Sequence, residues 1–212
     1  MKLQIALDVI DDKKALMIIK KINKYIDIIE IGTPLIKEAD LGLIKKFKKF
    51  KKPIVADLKT MDTGSLEAGL AFKAGATITT VCASADDSTI KGAVKVARRY
   101  RKKVLVDLIA IKSRNINKRV KEILKLKPDY ICVHTGIDMQ NEGKNPLINL
   151  KKVSKLVNGK KTKIAVAGGI NLKTIDEIKK YNPEIIIVGG AITKAKNPDK
   201  IAKELKEAIK ND

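Results

Sequence analysis

Short apolar runs that end on a polar residue or a glycine recur along the whole chain, at 3–8, 26–30, 53–57, 77–82, 104–107, 130–134, 163–167 and 184–188. Each is too short for a helix and rich in Ile and Val, which marks it as a strand. Segments with helical periodicity lie between them, such as 13–24, 67–73 and 174–181, and the turn residues Gly75, Pro128 and Asn182-Pro183 stand at junctions. The chain reads as strand then helix, eight times over.

The strand ends at 8, 30, 57, 82, 107, 134, 167 and 188 are roughly 21 to 33 residues apart, about the length of one βα unit. Eight such units predict an α/β fold, a (β/α)8 TIM barrel, with residues 1–212 forming one domain. A doubly wound open sheet is the competing architecture. It uses fewer strands and carries a Gly-rich phosphate loop after the first one, where this chain has Asp8-Val9-Ile10-Asp11.

Charge adds a second class of reading. Lys and Arg total 45 against 24 for Asp and Glu, a formal net charge of +21, which raises the case for a basic nucleic-acid-binding protein. Only five of these cations are Arg (Arg98, Arg99, Arg101, Arg114, Arg119), and there is no Trp among few, scattered aromatics. Base edges are read mostly by Arg, and single strands by aromatic stacking, so nonspecific polyanion attraction is expected rather than a specific nucleic-acid partner. The lysines at 13, 14, 20, 21 and 24 fall on the polar half of a helix and read as a solvated face. Cys82 and Cys132 stand fifty residues apart in apolar stretches, which predicts buried thiols rather than a disulfide or a Cys-x-x-Cys metal site. With no signal-peptide pattern and no apolar run near the roughly 20 residues of a membrane span, the expected location is the cytoplasm.

Barrel active sites form where strands end and βα loops begin. Five ends carry ionisable groups: Asp8, Glu30, Asp57, Asp107 and His134. Helix capping accounts for one or two of them, not readily for all five. The third end is the densest, Asp57-Leu58-Lys59-Thr60-Met61-Asp62. Strand alternation puts Asp57 and Lys59 on one side with Leu58 outward, and a lysine between two carboxylates, Asp57 and Asp62, is suited to stabilise negative charge on a substrate oxygen. Glu30 and Asp57 end adjacent strands and could share a hard divalent cation, Mg2+ or alternatively Mn2+. His134, the single histidine, precedes a long Gly-containing loop at 135–146 and reads as a general acid/base. The pairs Gly168-Gly169 and Gly189-Gly190 end strands seven and eight, where barrels commonly bind phosphate. The residues thus read as a metal-assisted enzyme acting on a small phosphorylated sugar or sugar acid.

Leu3-Gln4-Ile5-Ala6-Leu7-Asp8, Ile29-Glu30-Ile31-Gly32-Thr33-Pro34, Ala56-Asp57-Leu58-Lys59-Thr60-Met61-Asp62, Ile90-Lys91-Gly92-Ala93, Val106-Asp107-Leu108-Ile109, Ile131-Cys132-Val133-His134-Thr135-Gly136 and Gly143-Lys144-Asn145-Pro146 together resemble the orotidine-monophosphate decarboxylase superfamily. Within it, they are most similar to the 3-hexulose-6-phosphate synthases. The resemblance implies a reversible aldehyde-lyase reaction joining ribulose 5-phosphate and formaldehyde through a metal-stabilised enediolate. It makes Glu30 and Asp57 the Mg2+ ligands, Lys59 the enediolate stabiliser and His134 the base. Asp62 matches a carboxylate that reaches into the neighbouring protomer, so a homodimer with shared sites is implied. Asp8 matches a substrate-hydroxyl position, Asp107 joins the substrate-binding set, and Gly168, Gly169, Gly189 and Gly190 match phosphate positions.

The orotidine-monophosphate enzymes carry Lys where this chain has Glu30. The 3-keto-L-gulonate-6-phosphate decarboxylases, the nearer alternative, carry Arg where this chain has Ile137 and tend to have Glu at Asp107. Val81-Cys82-Ala83 leans toward the decarboxylases, while Thr63-Gly64 and Ala191 depart from the usual pattern.

Overall fold

The computed structural model describes residues 1–141, 143 and 145–210. Its strands are β1 (Lys2–Leu7), β2 (Ile28–Ile31), β3 (Ile54–Thr60), β4 (Ile78–Cys82), β5 (Lys103–Asp107), β6 (Tyr130–His134), β7 (Lys163–Ala167) and β8 (Ile185–Val188). All neighbours pair in parallel and β8 closes back onto β1, so the TIM barrel is the observed fold and the open sheet is excluded. Outside the barrel run α1 (Asp12–Ile22), α2 (Thr33–Ala39), α3 (Ile44–Phe47), α4 (Gly64–Ala74), α5 (Asp87–Tyr100), α6 (Ile116–Leu126), α7 (Ile137–Asn141), α8 (Leu147–Val157), α9 (Ile175–Lys179), α10 (Gly190–Thr193) and α11 (Pro198–Ala208). The expected loop at 135–146 holds the short helix α7, and Lys144 of its Gly143–Pro146 motif lies outside the described residues. Among the described residues, no helix is long and apolar enough to cross a membrane.

Two apolar layers follow from strand alternation. Outward-facing Leu3, Ile5, Leu7, Ile29 and Ile31 pack with Ala15, Ile18, Ile19 and Ile22, which form one buried stripe of α1. Each Leu or Ile among them contributes about 1.5–3 kcal/mol when fully buried. Asp11 starts this helix by accepting from the backbone N–H groups of Lys13 (2.8 Å) and Lys14 (3.1 Å).

The inward-facing residues stack in rings of four from alternate strands, as barrel closure requires. The lowest ring is Ile28, Ile78, Tyr130 and Ile185; above it come Gln4, Val55, Leu105 and Ala165. The third ring is Glu30, Thr80, Cys132 and Ile187, and the fourth is Ala6, Asp57, Asp107 and Ala167. Polarity therefore rises toward the C-terminal ends of the strands. The apolar base supplies stability, and the upper rings hold what must meet a ligand.

β3 departs from regular alternation. Between the pairs Ala56–Thr79 and Thr60–Val81, β3 advances four residues while β4 advances two, and Lys59 adopts a left-handed backbone with φ 48°. A bulge of this kind re-aims side chains at a strand end. Asp57 and Lys59 do share the barrel mouth, but through this irregularity rather than the plain alternation expected from sequence.

Helices α4 and α5 approach closely at glycines. A Cβ on Gly64 would lie 2.1 Å from the backbone oxygen of Thr89, and one on Gly92 would lie 2.7 Å from Ser65 Oγ. Gly64→Ala is expected to destabilise the protein by about 1–3 kcal/mol through overpacking, lowering the melting temperature by roughly 2–4 °C per kcal/mol for a chain of this size. A thermal melt measures this, and an unchanged midpoint would contradict the close approach of the two helices.

Candidate active site

A cavity of about 900 Å³ opens at the C-terminal ends of the strands. Asp8, Glu30, Asp57, Lys59, Asp107 and His134 all line it, together with Gly168, Gly169, Gly189 and Gly190. Every site residue expected from sequence thus meets at one cavity except Asp62.

Lys59 and Asp57 form its centre. The Lys59 ammonium donates to Asp57 Oδ2, and it also lies 3.2 Å from the Thr33 hydroxyl. Thr33 in turn donates to Asp57, with its Oγ1 2.8 Å from Oδ2. On the other side, Thr80 Oγ1 donates to Asp57 Oδ1 at 2.8 Å and accepts the Lys59 backbone N–H at 2.9 Å. The Cys82 thiol donates to the Lys59 carbonyl oxygen at 3.3 Å. The left-handed backbone at Lys59, unfavourable for a residue with a Cβ, is therefore held at its N–H, its carbonyl and its side chain. Thr33 and Thr80 were not found from sequence. Thr80 carried a readable signal, as a polar residue at an inward-facing position of β4, between Ile78 and Cys82 on the same face.

Electrostatics follows from this packing. Burial would push the Asp57 carboxyl pKa up, but the adjacent Lys59 charge and the hydrogen bonds from Lys59, Thr80 and Thr33 outweigh it, so the group is held below the usual carboxylate range. Burial likewise works against the Lys59 charge, and the attraction of Asp57, then Asp107 and Glu30, overcomes it and raises its pKa. Glu30 is pushed well above the ordinary range by burial and by repulsion from Asp57 and Asp8; its one opposing hydrogen bond comes from Gln4. Asp8 is raised by burial and Asp57, with Lys59 and His134 opposing. Burial pushes the Cys82 thiol up to about 11, so it is not a nucleophile near neutral pH.

His134 Nδ1 lies 2.8 Å from Asp107 Oδ2, and the other Asp107 oxygen accepts the backbone N–H of Ile109 at 3.0 Å. With Nδ1 donating to Asp107, Nε2 is the ring nitrogen left for proton transfer. Burial alone would lower the imidazole pKa; the charge and hydrogen bond of Asp107 outweigh it and raise it above 6.5.

Gly168 and Gly169 both have positive φ, 98° and 68°, and a Cβ on Gly168 would strike the Thr135 carbonyl oxygen at 2.1 Å. Only glycine suits that turn. Lys14 and Lys194 also line the cavity, and the Lys194 stem passes the start of α10, where a Cβ on Gly190 would lie 3.8 Å from its Cδ. Lys14 was expected on a plain solvated face. Its position just after β1, at the first turn of α1, puts it at the cavity rim instead, and nothing in a chain so rich in lysine singles it out.

Asp62 does not line the cavity, and its Oδ1 accepts the backbone N–H of Thr63 at 2.6 Å. The sequence reading of Lys59 between Asp57 and Asp62 is therefore corrected: the bulge turns Lys59 inward, so Asp57, Asp107 and Glu30 supply the negative charge around it. Among the described residues, no group of three or more His, Cys, Asp or Glu side chains is arranged to hold a metal ion, and the cation expectation rests on the pair Glu30 and Asp57.

A closed parallel barrel that gathers ionisable side chains at the C-terminal ends of its strands defines a barrel enzyme. The chain belongs to the Orotidine 5'-phosphate decarboxylase / HUMPS family, whose model matches residues 1–205. It is 44% identical over 211 residues to the 3-hexulose-6-phosphate synthase of Bacillus subtilis (strain 168), covering 99% of both chains. Its structure is similar to that of 3-hexulose-6-phosphate synthase from Salmonella typhimurium, with a TM-score of 0.94, 36% identity, and coverage of 99% and 98%. A more distant likeness is to 3-keto-L-gulonate-6-phosphate decarboxylase from Vibrio cholerae, with a TM-score of 0.85, 25% identity, and coverage of 99% and 97%. The resemblance read from the motifs is borne out, and the synthases stand nearer than this decarboxylase.

His134 is the only histidine, so its titration is read without ambiguity by NMR. Asp107→Asn is expected to lower its pKa, since the carboxylate is what raises it. Because the folded-state value is raised, the pair stabilises the fold fully below about pH 6.5, the unfolded value, and that stabilisation fades as pH rises through the folded one. An unchanged imidazole titration in the variant would show that Asp107 does not control it.

Proposed function

We propose that the protein is an Mg2+-dependent aldehyde-lyase of the 3-hexulose-6-phosphate synthase type, condensing ribulose 5-phosphate with formaldehyde, reversibly, in a homodimer with shared active sites. The observation that carries this reading is Lys59 paired to Asp57, with Glu30 and His134 facing the same cavity, in a chain 44% identical to a protein of that name. The apolar Ile137, 60% exposed at the cavity, favours it over the decarboxylase reading, because that side chain offers no charge to a substrate carboxylate.

The donors fit a hard divalent cation. Asp8, Glu30, Asp57 and Asp107 converge at the strand ends, and burial together with the repulsion of Asp57 and Asp8 pushes the Glu30 carboxyl well above its ordinary range, a cost that a bound cation would relieve. Glu30 and Asp57 would hold the ion, Mg2+ or Mn2+, which when bound supplies Lewis-acid polarisation of the ketone and its neighbouring hydroxyl.

His134 Nε2 accepts the proton from C1 of the pentulose, with Asp107 steadying the imidazolium that results. Negative charge passes to the enediolate oxygens, where the Lys59 ammonium, already oriented by Asp57 and Thr33, stabilises it without reorganising. The C1 carbon then forms its bond to the formaldehyde carbon, and the new alkoxide takes back a proton from His134, so no net proton is lost. Asp8 is placed to bind a substrate hydroxyl. The glycine turns at 168–169 and 189–190, with Lys194 beside them, form the phosphate end of the cavity.

Asp62 supports the dimer. It is exposed, and Met61, Leu66 and Leu70 beside it are 52%, 61% and 47% exposed, with Leu66 and Leu70 one turn apart on α4. A second copy covering this apolar strip would bury it and bring the exposed Asp62 into the interface, as shared active sites require.

The direct test is formaldehyde consumption by the purified protein. Loss that requires ribulose 5-phosphate and Mg2+, stops with a chelator and returns with Mg2+ or Mn2+ is the expected result. A folded protein that consumes none, yet releases carbon dioxide from 3-keto-L-gulonate 6-phosphate, would overturn it. Shared sites have their own test: Lys59→Ala and Asp62→Ala should each fold and each be inactive. Mixed together with subunit exchange, they should recover up to about a quarter of wild-type activity, since half the dimers are hybrids with one intact site of two. Mixtures that stay inactive despite exchange would place Asp62 outside the site.

A further inference from the structure

Gln4 is the polar exception in its ring. Val55, Leu105 and Ala165 complete that ring, and Gln4 itself is fully buried beneath the cavity without lining it. Its Nε2 donates to Glu30 Oε2 at 2.7 Å, while its Oε1 has no hydrogen-bond partner among the described residues. A buried amide with one end unpaired works against folding, and an aliphatic side chain would fill the same space with no polar atom to satisfy. The amide cannot serve the substrate, because it does not reach the cavity. What remains is its one contact, the Glu30 carboxylate directly above.

We infer that Gln4 is a positioning residue for Glu30: it ties one carboxylate oxygen from below and leaves the other for the cavity side, fixing the direction in which Glu30 meets a cation. This rests on the cation reading above. The geometry resembles metal sites in general, where a buried donor fixes a ligand's orientation and its loss weakens metal affinity by roughly 10- to 100-fold.

The test uses Gln4→Met, unbranched and of similar length, and Gln4→Asn, which keeps the amide one methylene too short to reach Glu30. Mn2+ affinity is measured by electron paramagnetic resonance on the whole protein, alongside thermal melts. In both variants the Mn2+ dissociation constant is expected to rise about tenfold or more. The melting temperature of Gln4→Met should hold or rise, an outcome that a purely structural role for Gln4 forbids. Wild-type Mn2+ affinity in either folded variant would overturn the inference, as would a lower melting temperature with affinity unchanged. A wild-type protein that binds no Mn2+ would overturn the cation reading itself, and this inference with it.

Discussion

A carboxylate buried at the mouth of a barrel keeps its charge only if a cation is held against it. Asp57 has that cation in Lys59, and the remaining site geometry depends on their contact. Keeping the ammonium there requires a bulge in β3, a left-handed backbone at Lys59 and two threonines, Thr33 at the start of α2 and Thr80 in β4, to hold the carboxylate. The same charge tempers Asp8 and Glu30 and lies within reach of Asp107 and so of His134. Removing Lys59 would therefore disturb the protonation of the whole cluster as well as deleting one group.

The barrel separates these demands along its axis. The lowest ring is apolar but for the Tyr130 hydroxyl, which accepts from Lys103 at 3.0 Å near the barrel's base. Carboxyl side chains begin only at the third ring, where Glu30 sits above Gln4. Desolvation at that depth shifts the carboxyl groups, and the open mouth above admits a ligand to them. A site on a loop of the outer surface would have neither the burial nor the convergence of eight strand ends.

Much of this was legible in the sequence because period and position carry it. Short Ile/Val runs at nearly constant spacing fix eight βα units, and an ionisable residue at a strand end has few places to point. Asp8, Glu30, Asp57, Asp107 and His134 were found in that way. The β3 bulge was not, because alternation alone predicts the same side for Asp57 and Lys59 as the irregular path produces. Only the placing of Asp62 against Lys59 of its own chain failed: two residues past the end of β3, strand geometry no longer says where a side chain goes. Lys14 and Lys194 were hidden by a composition in which lysine marks nothing. Gln4 carried a signal, a polar residue facing inward in an apolar strand, whose meaning needed Glu30 placed over it.

The left-handed backbone at Lys59 has an evolutionary consequence. Glycine or asparagine would occupy that conformation with less strain, but either would leave the buried Asp57 carboxylate without its cation, a loss of about 3–5 kcal/mol against about 1–3 kcal/mol of strain relieved. A library of variants screened only for heat resistance would therefore keep lysine at 59, and the strained turn persists because the contact that anchors the site also anchors the fold.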